Sequence, residues 1–408
     1  MATWTIKRMQ DICEVTSSKR IYATELVAIG VPFLKSKEII EKVNGQENTS
    51  LLYISEQRFQ EIAQQTGSIE AGDVLLTSRG TLGIPYVVKS SDRFHFADGN
   101  LTWFRRFNGL DSRYLRFFFM SPMGKAELNK CVIGSSQQAY TISALKQIKI
   151  ALPGLPTQQR IADILSAYDE LIENSQRRIK ILESMARSLY REWFVHFRFP
   201  GHENVPHIAS SLGEIPMGWE VKKLGRLAEE MRRNIRKGGL KEEQPYVGLE
   251  HIPRRSLALD AWKKTNELGS NKLEFKKGEI LFGKIRPYFH KVSIAPFDGL
   301  CSADTIVIRS RQPEYYAIVV SCVSSDEFVA HATATSNGSK MPRANWHVLE
   351  EYPVVIPTLE IARQFSAVIE PSIRQMQALV FQTISLRRTR DLLLPRLLSG
   401  QINVDPSA

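Results

Sequence analysis

The sequence predicts an α+β fold with a pseudo-twofold internal repeat: two similar mixed domains separated by two long helices that pack as an antiparallel coiled coil. Three observations carry this. The first is repetition. Residues 134–153 read GSSQQAYTISALKQIKIALP and residues 338–357 read GSKMPRANWHVLEEYPVVIP, so Gly134 maps to Gly338 and Pro153 to Pro357 at an offset of 204, half of the 408 residues. GDVLL at Gly72 matches GEILF at Gly278 and Ala97-Asp98 matches Ala303-Asp304, both at 206; Trp4-Thr-Ile-Lys matches Trp219-Glu-Val-Lys at 215. So long a period means two domain-sized copies, not a solenoid. The second observation is an apolar seam that starts near Thr157, and the third is a weaker seam 204 residues further on.

The first domain is expected over 1–153. GDVLLTSRG and GIPYVVKS are short apolar runs bounded by turn residues, which is a strand pattern. RYLRFFFMS reads as a short buried helix or strand, and its periodicity does not separate the two. Pro153 and Pro156 then stop the strand IKIAL, and Thr157 is a fair N-cap.

The central helix is expected within 154–200. Ile161, Leu165, Tyr168, Ile172, Ser175, Ile179, Leu182, Ala186, Leu189 and Trp193 follow one another in steps of four and three, with one polar slip at Ser175. That is a heptad seam. No Gly or Pro falls between Thr157 and Phe199, and Pro200-Gly201 marks the end. At 1.5 Å per residue a helix over 157–195 runs roughly 58 Å.

The second domain is expected over 201–356. SSLGEIPMGWEV, at 210–221, is punctuated by Gly and Pro and reads as a linker into it. GEILFGKI and KVSIA are strand-like, and YYAIVVSCVS has the same ambiguity as its counterpart in the first copy. The distal helix is expected over 357–408. Its seam is Phe365, Ile369, Ser372, Met376, Leu379, Thr383, Leu386, Arg390, Leu393 and Leu397. Pro371 removes one backbone donor and is expected to kink or split it. Two seams of equal length joined by a whole domain pack on each other most economically, with Leu165, Ile172, Ile179, Leu182 and Leu189 facing Phe365, Met376, Leu379, Leu386 and Leu393.

Charge narrows the partner. The net charge is +11 with a pI near 9.4. Residues 1–150 hold 19 basic and 14 acidic groups and residues 201–356 hold 22 and 19, so both copies share the excess. A basic surface on each copy suits a polyanion, and two similar domains suit a ligand that is itself linear and two-part. The N-terminal MATWTIKRMQDI has charges where a signal peptide needs an apolar run, and no run of residues approaches a membrane span. A cytoplasmic chain without a membrane partner is expected. Cys13, Cys131, Cys301 and Cys322 form no CxxC pair and do not coincide in the repeat, so buried thiols are expected rather than a metal site or a disulfide framework.

Catalytic motifs are missing. The chain has no Pro-Pro, which an adenine methyltransferase motif needs, and no GxGxxG, HExxH or GxSxG. Gly124-Lys125 and Gly283-Lys284 are followed by Ala126 and Ile285, so neither is a phosphate-binding P-loop. The repeated Asp98 and Asp304 read as turn residues. No catalysis and no bound cofactor or metal are expected of this chain alone.

Polar loops remain, and they recur. Gly134-Ser135-Ser136-Gln137-Gln138-Ala139-Tyr140 in the first copy matches Ser336-Asn337-Gly338-Ser339-Lys340-Met341-Pro342-Arg343 in the second. Thr77-Ser78-Arg79-Gly80 likewise matches Lys284-Ile285-Arg286-Pro287-Tyr288. Gln reads adenine edges and Arg or Lys reads guanine, while cations beside strands also suit phosphate. The candidate DNA contacts are therefore Arg79, Ser135, Ser136, Gln137, Gln138 and Tyr140 in one copy, and Lys284, Arg286, Tyr288, Asn337, Ser339, Lys340 and Arg343 in the other.

These residues carry a resemblance. LPGLPTQQRIADILSAYDELIENSQRRIKILESMARSLYREWF resembles the central conserved helix of the specificity (S) subunits of type I restriction-modification systems. IPMGWEVKKLG resembles the start of their second target recognition domain, and GEILFGKIRPYFHKV and SNGSKMPRANW resemble motifs inside such domains. The segment from IPTLEIARQF to LLSGQI resembles their distal conserved helix. The resemblance implies two target recognition domains, each reading one half of a bipartite site in double-stranded DNA. It implies helices that space the domains and dock two modification subunits, which bring S-adenosylmethionine (SAM) and methylate adenine. Restriction subunits complete the nuclease. The alternative is a stand-alone bipartite DNA-binding scaffold with no methyltransferase partner. TSRGTLGIPY stands where the second copy has FGKIRPYFHK, so the two copies do not align residue by residue there.

Overall fold

The computed structural model describes residues 4–45, 50–135, 137–238 and 242–404. They form two compact units. One holds the chain through Glu173 together with the residues from Leu386 on; the other holds Asn174–Ser385.

Each unit repeats one plan. In the first, a four-stranded sheet has the order Glu14–Thr16, Leu101–Arg105, Val74–Thr77, Pro85–Val87. In the second, the matching sheet runs Ala228–Glu230, Thr305–Ser310, Ile280–Gly283, Val292–Ile294. A second sheet follows in each: four strands in one unit and five in the other. Each of these second sheets contains one parallel pair, Phe33 opposite His95 in one and Tyr246 opposite Leu300 in the other.

The ambiguous apolar runs are helices. Ser112–Met120 and Pro122–Lys130 match Tyr316–Val323 and Asp326–Ala334. Capping decides the first of these. The Asp111 carboxylate accepts from the amides of Arg113 and Tyr114 at 2.8 and 3.2 Å, and Ser121 accepts from Gly124 at 3.1 Å with Pro122 placed where a missing N–H costs nothing.

The TIKR/EVKK match at offset 215 is also structural. Thr5–Arg8 pairs antiparallel with Lys149–Leu152, and Glu220–Lys223 pairs with Pro353–Ile356. In both copies this ribbon feeds directly into a long helix. The stretch read as a linker is in part a ribbon too: His207–Ser210 pairs with Gly213–Pro216, the turn being closed at Gly213 with φ +98°.

The two long helices span Leu155–Phe194 and Leu359–Leu398, 40 residues each. The first begins ahead of Thr157, so Thr157 is not its cap. Gly154 accepts from the Gln158 amide at 3.1 Å, and Pro156 sits in the first turn, where its missing donor is harmless. The second is not split at Pro371; one hydrogen bond is lost from a helix whose flanking Ile369, Ile373 and Met376 are buried. Burial there passes through Ile373 rather than Ser372, which is the 3.6-residue period overriding a strict heptad.

Within each unit the helix segments run antiparallel. In the second unit Ile179 packs with Leu379 and Val380, while further along Phe194 meets Phe365 edge-on at 4.9 Å. In the first, Ile161 and Leu165 share a core with Leu394, Leu397 and Leu398, and Asp169 takes Arg390 at 2.5 Å and Arg116 at 2.7 Å. Leu165, Ile172, Ile179, Phe365, Met376 and Leu379 are buried; Leu182, Leu189, Leu386 and Leu393 are half-buried. All four cysteines are buried thiols, and burial pushes Cys13, Cys301 and Cys322 up to about 12. Among the described residues no helix is long and apolar enough to cross a membrane.

Candidate nucleic-acid interface

In the first unit the buried strand Val74–Thr77 ends on Ser78, which is also buried. Its amide donates to Asn100 O at 2.8 Å and its hydroxyl lies 2.7 Å from that of Thr102. The chain is thus pinned up to Ser78, and the next side chain, Arg79, emerges into solvent. Gly80, at φ +78°, turns the loop away.

A hairpin comes to meet it. Val132–Ile133 pairs with Ala139–Tyr140, so its tip is 134–138. Gly134 has φ +83°, and a Cβ there would lie 2.6 Å from Gln137 O, so the turn requires glycine. Arg79 forms an antiparallel bridge with Ala139, and the Tyr140 amide donates to Ser78 O at 3.0 Å. Ser135, Gln137 and Gln138 are exposed beside exposed Arg79, and Tyr140 is half-buried. Burial pushes the Tyr140 phenol up, which keeps it a neutral donor. Ser136 lies outside the described residues.

The second unit builds the same junction. Strand Ile280–Gly283 ends on Lys284, whose amide donates to Asp304 O at 2.8 Å. Lys284 O accepts from the Ala344 amide at 2.9 Å, Ile285 bridges Arg343, and the Arg286 amide donates to Pro342 O at 2.7 Å. Asn337 and Arg343 exchange backbone hydrogen bonds at 3.1 and 2.9 Å, closing a loop headed by Gly338 at φ +103°. Asn337, Ser339 and Lys340 are exposed.

The cations of this unit are not equally free. Arg343 is an exposed side chain steadied by the Asp304 carboxylate at 3.6 Å. Arg286 sits in the left-handed region at φ 51° and is half-buried, its guanidinium reaching Lys340 O at 3.4 Å. It therefore shapes the hairpin as well as facing outward. Lys284 is half-buried and Tyr288 is exposed, with its ring 4.8 Å from that of Phe289.

The bridges fall where the repeat puts them. Arg79 maps to Ile285 at 206 and Ala139 to Arg343 at 204. Two loop segments that are 60 residues apart in the first copy and 58 in the second meet in each, so the candidate contacts gather at one edge per unit. The repeated aspartates stand in turns, Asp98 beside Arg20 at 3.5 Å and Asp304 beside Arg343.

Sequence patterns had not singled out Arg254, Lys35 or Lys37. The Arg254 guanidinium lies flat over Phe289 at 4.0 Å and is exposed. Lys35 and Lys37 line a groove of about 520 Å3 with Arg79 and Asn100. For Lys35 the available signal was a cation placed directly after a buried strand, Val31–Leu34.

Comparison with known proteins fits this geometry. The model of the type I restriction modification DNA specificity domain matches residues 1–184 and 216–379. The chain is similar to the type I restriction enzyme MjaIX specificity subunit of Methanocaldococcus jannaschii, 27% identical over 98% of this chain and 94% of that one. It is similar to the EcoDI specificity subunit of Escherichia coli at 25% identity, over 53% of this chain and 52% of that protein. Its fold resembles the crystal structure of the S subunit of a type I restriction-modification system from M. genitalium, with a TM-score of 0.62 at 14% identity, covering 97% and 96% of the two chains. With both copies of the repeat inside the matched residues, the chain belongs to the type I restriction-modification DNA specificity family.

Proposed function

We propose that each unit reads one half of a bipartite double-stranded DNA site through its bridged loop pair. The reading is carried by one observation: the same backbone junction is built twice, at matching repeat positions, and presents different polar side chains each time. A shared scaffold with different reading groups is what two half-sites of different sequence require. Gln137 and Gln138 are the base-edge readers of the first copy, and Lys340 and Arg343 those of the second. The long helices keep the domains apart and dock two modification subunits. Those subunits bring SAM and transfer the methyl group to adenine, and restriction subunits complete the nuclease. This chain supplies specificity and no bond-making group, and it works in the cytoplasm, where the DNA is.

The test uses targets varied in one half at a time. Gln138→Ala is expected to relax one position of one half-site by about 1–3 kcal/mol, and Arg343→Ala one position of the other. A change in both halves from either substitution would overturn the assignment of one unit to each half. Co-purification with a polypeptide carrying an adenine-methyltransferase motif separates the subunit reading from a stand-alone scaffold.

A further inference from the structure

A groove lies beside Arg79 in the first copy. Strand Val31–Leu34 runs parallel to His95–Phe96 and delivers the chain to Lys35, which precedes helix Ser36–Val43. Ser36 is buried, and its hydroxyl donates to Asn100 O at 3.1 Å and Arg79 O at 3.3 Å. That hydroxyl ties the start of the helix to the Arg79 loop and leaves a concave surface of about 520 Å3 between them, lined by Lys35, Lys37, Arg79, Thr81 and Asn100.

Its acidic neighbours are engaged, and one of them, Glu41, is itself in the lining. Glu38 accepts from the Lys35 amide at 2.8 Å, and Glu41 lies 3.6 Å from Lys37. Among the described ion pairs no carboxylate takes the Lys35 ammonium or the Arg79 guanidinium, and both side chains are exposed. The lining carries three cations, Lys35, Lys37 and Arg79, against the one carboxylate of Glu41, and no aromatic ring, which suits a tetrahedral anion and not a stacked base.

Resting on the reading that the loop pairs bind DNA, we infer that this groove holds a phosphate of the DNA backbone between Lys35 and Arg79. Arg79 then fixes the position of the duplex, and the hairpin tip with Gln137 and Gln138 reads it. The second copy is different. Its parallel pair, Val247 opposite Cys301, delivers the chain to Gly248, which has no side chain to offer. The nearby Lys291 ammonium donates to Leu249 O, and burial lowers its hold on its proton. The Lys35 position thus has no cationic counterpart at Gly248.

The experiment measures binding of the full chain to a mixed-sequence duplex over a salt series, and selects targets from a randomised duplex library. Each neutralised phosphate contributes about 0.9 to the slope of log affinity against log salt. Lys35→Ala is expected to make that slope shallower by about 0.9 and to weaken binding about fivefold at about 0.15 M salt. Lys35→Arg is expected to keep the slope, and both variants to select the wild-type target. Gln138→Ala is the opposite control, with an unchanged slope and an altered target. An unchanged slope in Lys35→Ala, or a shifted target, overturns the clamp and leaves the DNA reading standing. If wild-type binding shows no salt dependence, the DNA reading falls and the clamp with it.

Discussion

In both copies an arginine stands at the bridge that closes the loop pair, but on opposite sides of it. In the first copy Arg79, on the strand-end loop, faces Ala139; in the second Ile285 occupies that place and Arg343 faces it from the hairpin. The bridge consists of main-chain N–H and C=O groups, so it is indifferent to which side chain stands at either position. The pairing can persist through duplication while the charge moves across it. The base of each unit shows the same freedom in apolar form. Trp219, Trp193, Phe194 and Phe365 fill one junction; Trp4, Leu397, Leu398 and Ile161 fill the other. Ile161 and Phe365 are repeat equivalents at offset 204, and both are fully buried.

That second contrast gives the largest expected effect. Phe365→Ala removes a ring in contact with Tyr190, Trp193 and Phe194, and should cost about 3–5 kcal/mol. Ile161→Ala should cost about 2–4 kcal/mol, since fewer buried atoms leave. Hydrogen exchange followed by mass spectrometry reports the two units separately. The aromatic junction should lose protection in Asn174–Ser385 and the aliphatic one in the residues through Glu173. Equal loss in both units from either change would mean that the two copies do not hold their junctions independently.

The helices differ as well. Inside the second, exposed Pro371 and, in the last turn, Pro395 each withhold a donor, whereas the first has its only proline, Pro156, in the opening turn. Pro371→Ala should stabilise the second unit by about 1–3 kcal/mol, seen as a higher midpoint in urea. No gain would show that the missing hydrogen bond is already compensated there.

A smaller effect should appear with pH. His95 and His290, one per copy, are both buried, and burial pushes both imidazoles below the ordinary histidine value. Each donates a ring N–H to a backbone carbonyl, His95 to Lys19 O at 3.0 Å and His290 to Ser324 O at 2.9 Å. Asp326, 3.3 Å from His290 Nδ1, opposes the shift; Arg58 near His95 and Arg255 near His290 reinforce it. Since each ring is neutral in the fold and titrates near 6.5 when unfolded, its contribution is complete above that pH. It is lost as pH falls through 6.5 toward the folded value, by at most about 1.4 kcal/mol per pH unit for each ring. His95→Gln should flatten the acid side of the stability curve for the first unit only. A slope unchanged by this substitution would place the acid sensitivity elsewhere.

How much of this was legible varied with the range of the interaction that decides it. The repeat, the two long helices and the polar character of both loop pairs were all readable. A 3.6-residue apolar period, or a glycine where the backbone needs φ > 0, depends on neighbours a few residues away, and these are written in the chain. RYLRFFFMS and YYAIVVSCVS were not readable, because short, strongly apolar runs fit a buried helix and a buried strand alike. For the first of them the cap at Asp111 decided. Thr157 failed as a cap because helix propagation could begin earlier, at Leu155, with Pro156 inside the first turn. The glycine and proline punctuation of 210–221 reads as a linker, and it did not reveal that His207–Ser210 and Gly213–Pro216 pair as a ribbon.

Tertiary structure alone decided which segments meet. That Arg79 bridges Ala139, that Ser36 ties a helix to the Arg79 loop, and that Arg343 rather than Arg286 is the freer cation follow from backbone pairing between residues far apart in sequence. Such pairing is selected by the burial of the whole unit, and no local pattern encodes it. The sequence by itself settled what each copy is made of and that there are two; the packed fold settled which of those groups stand side by side.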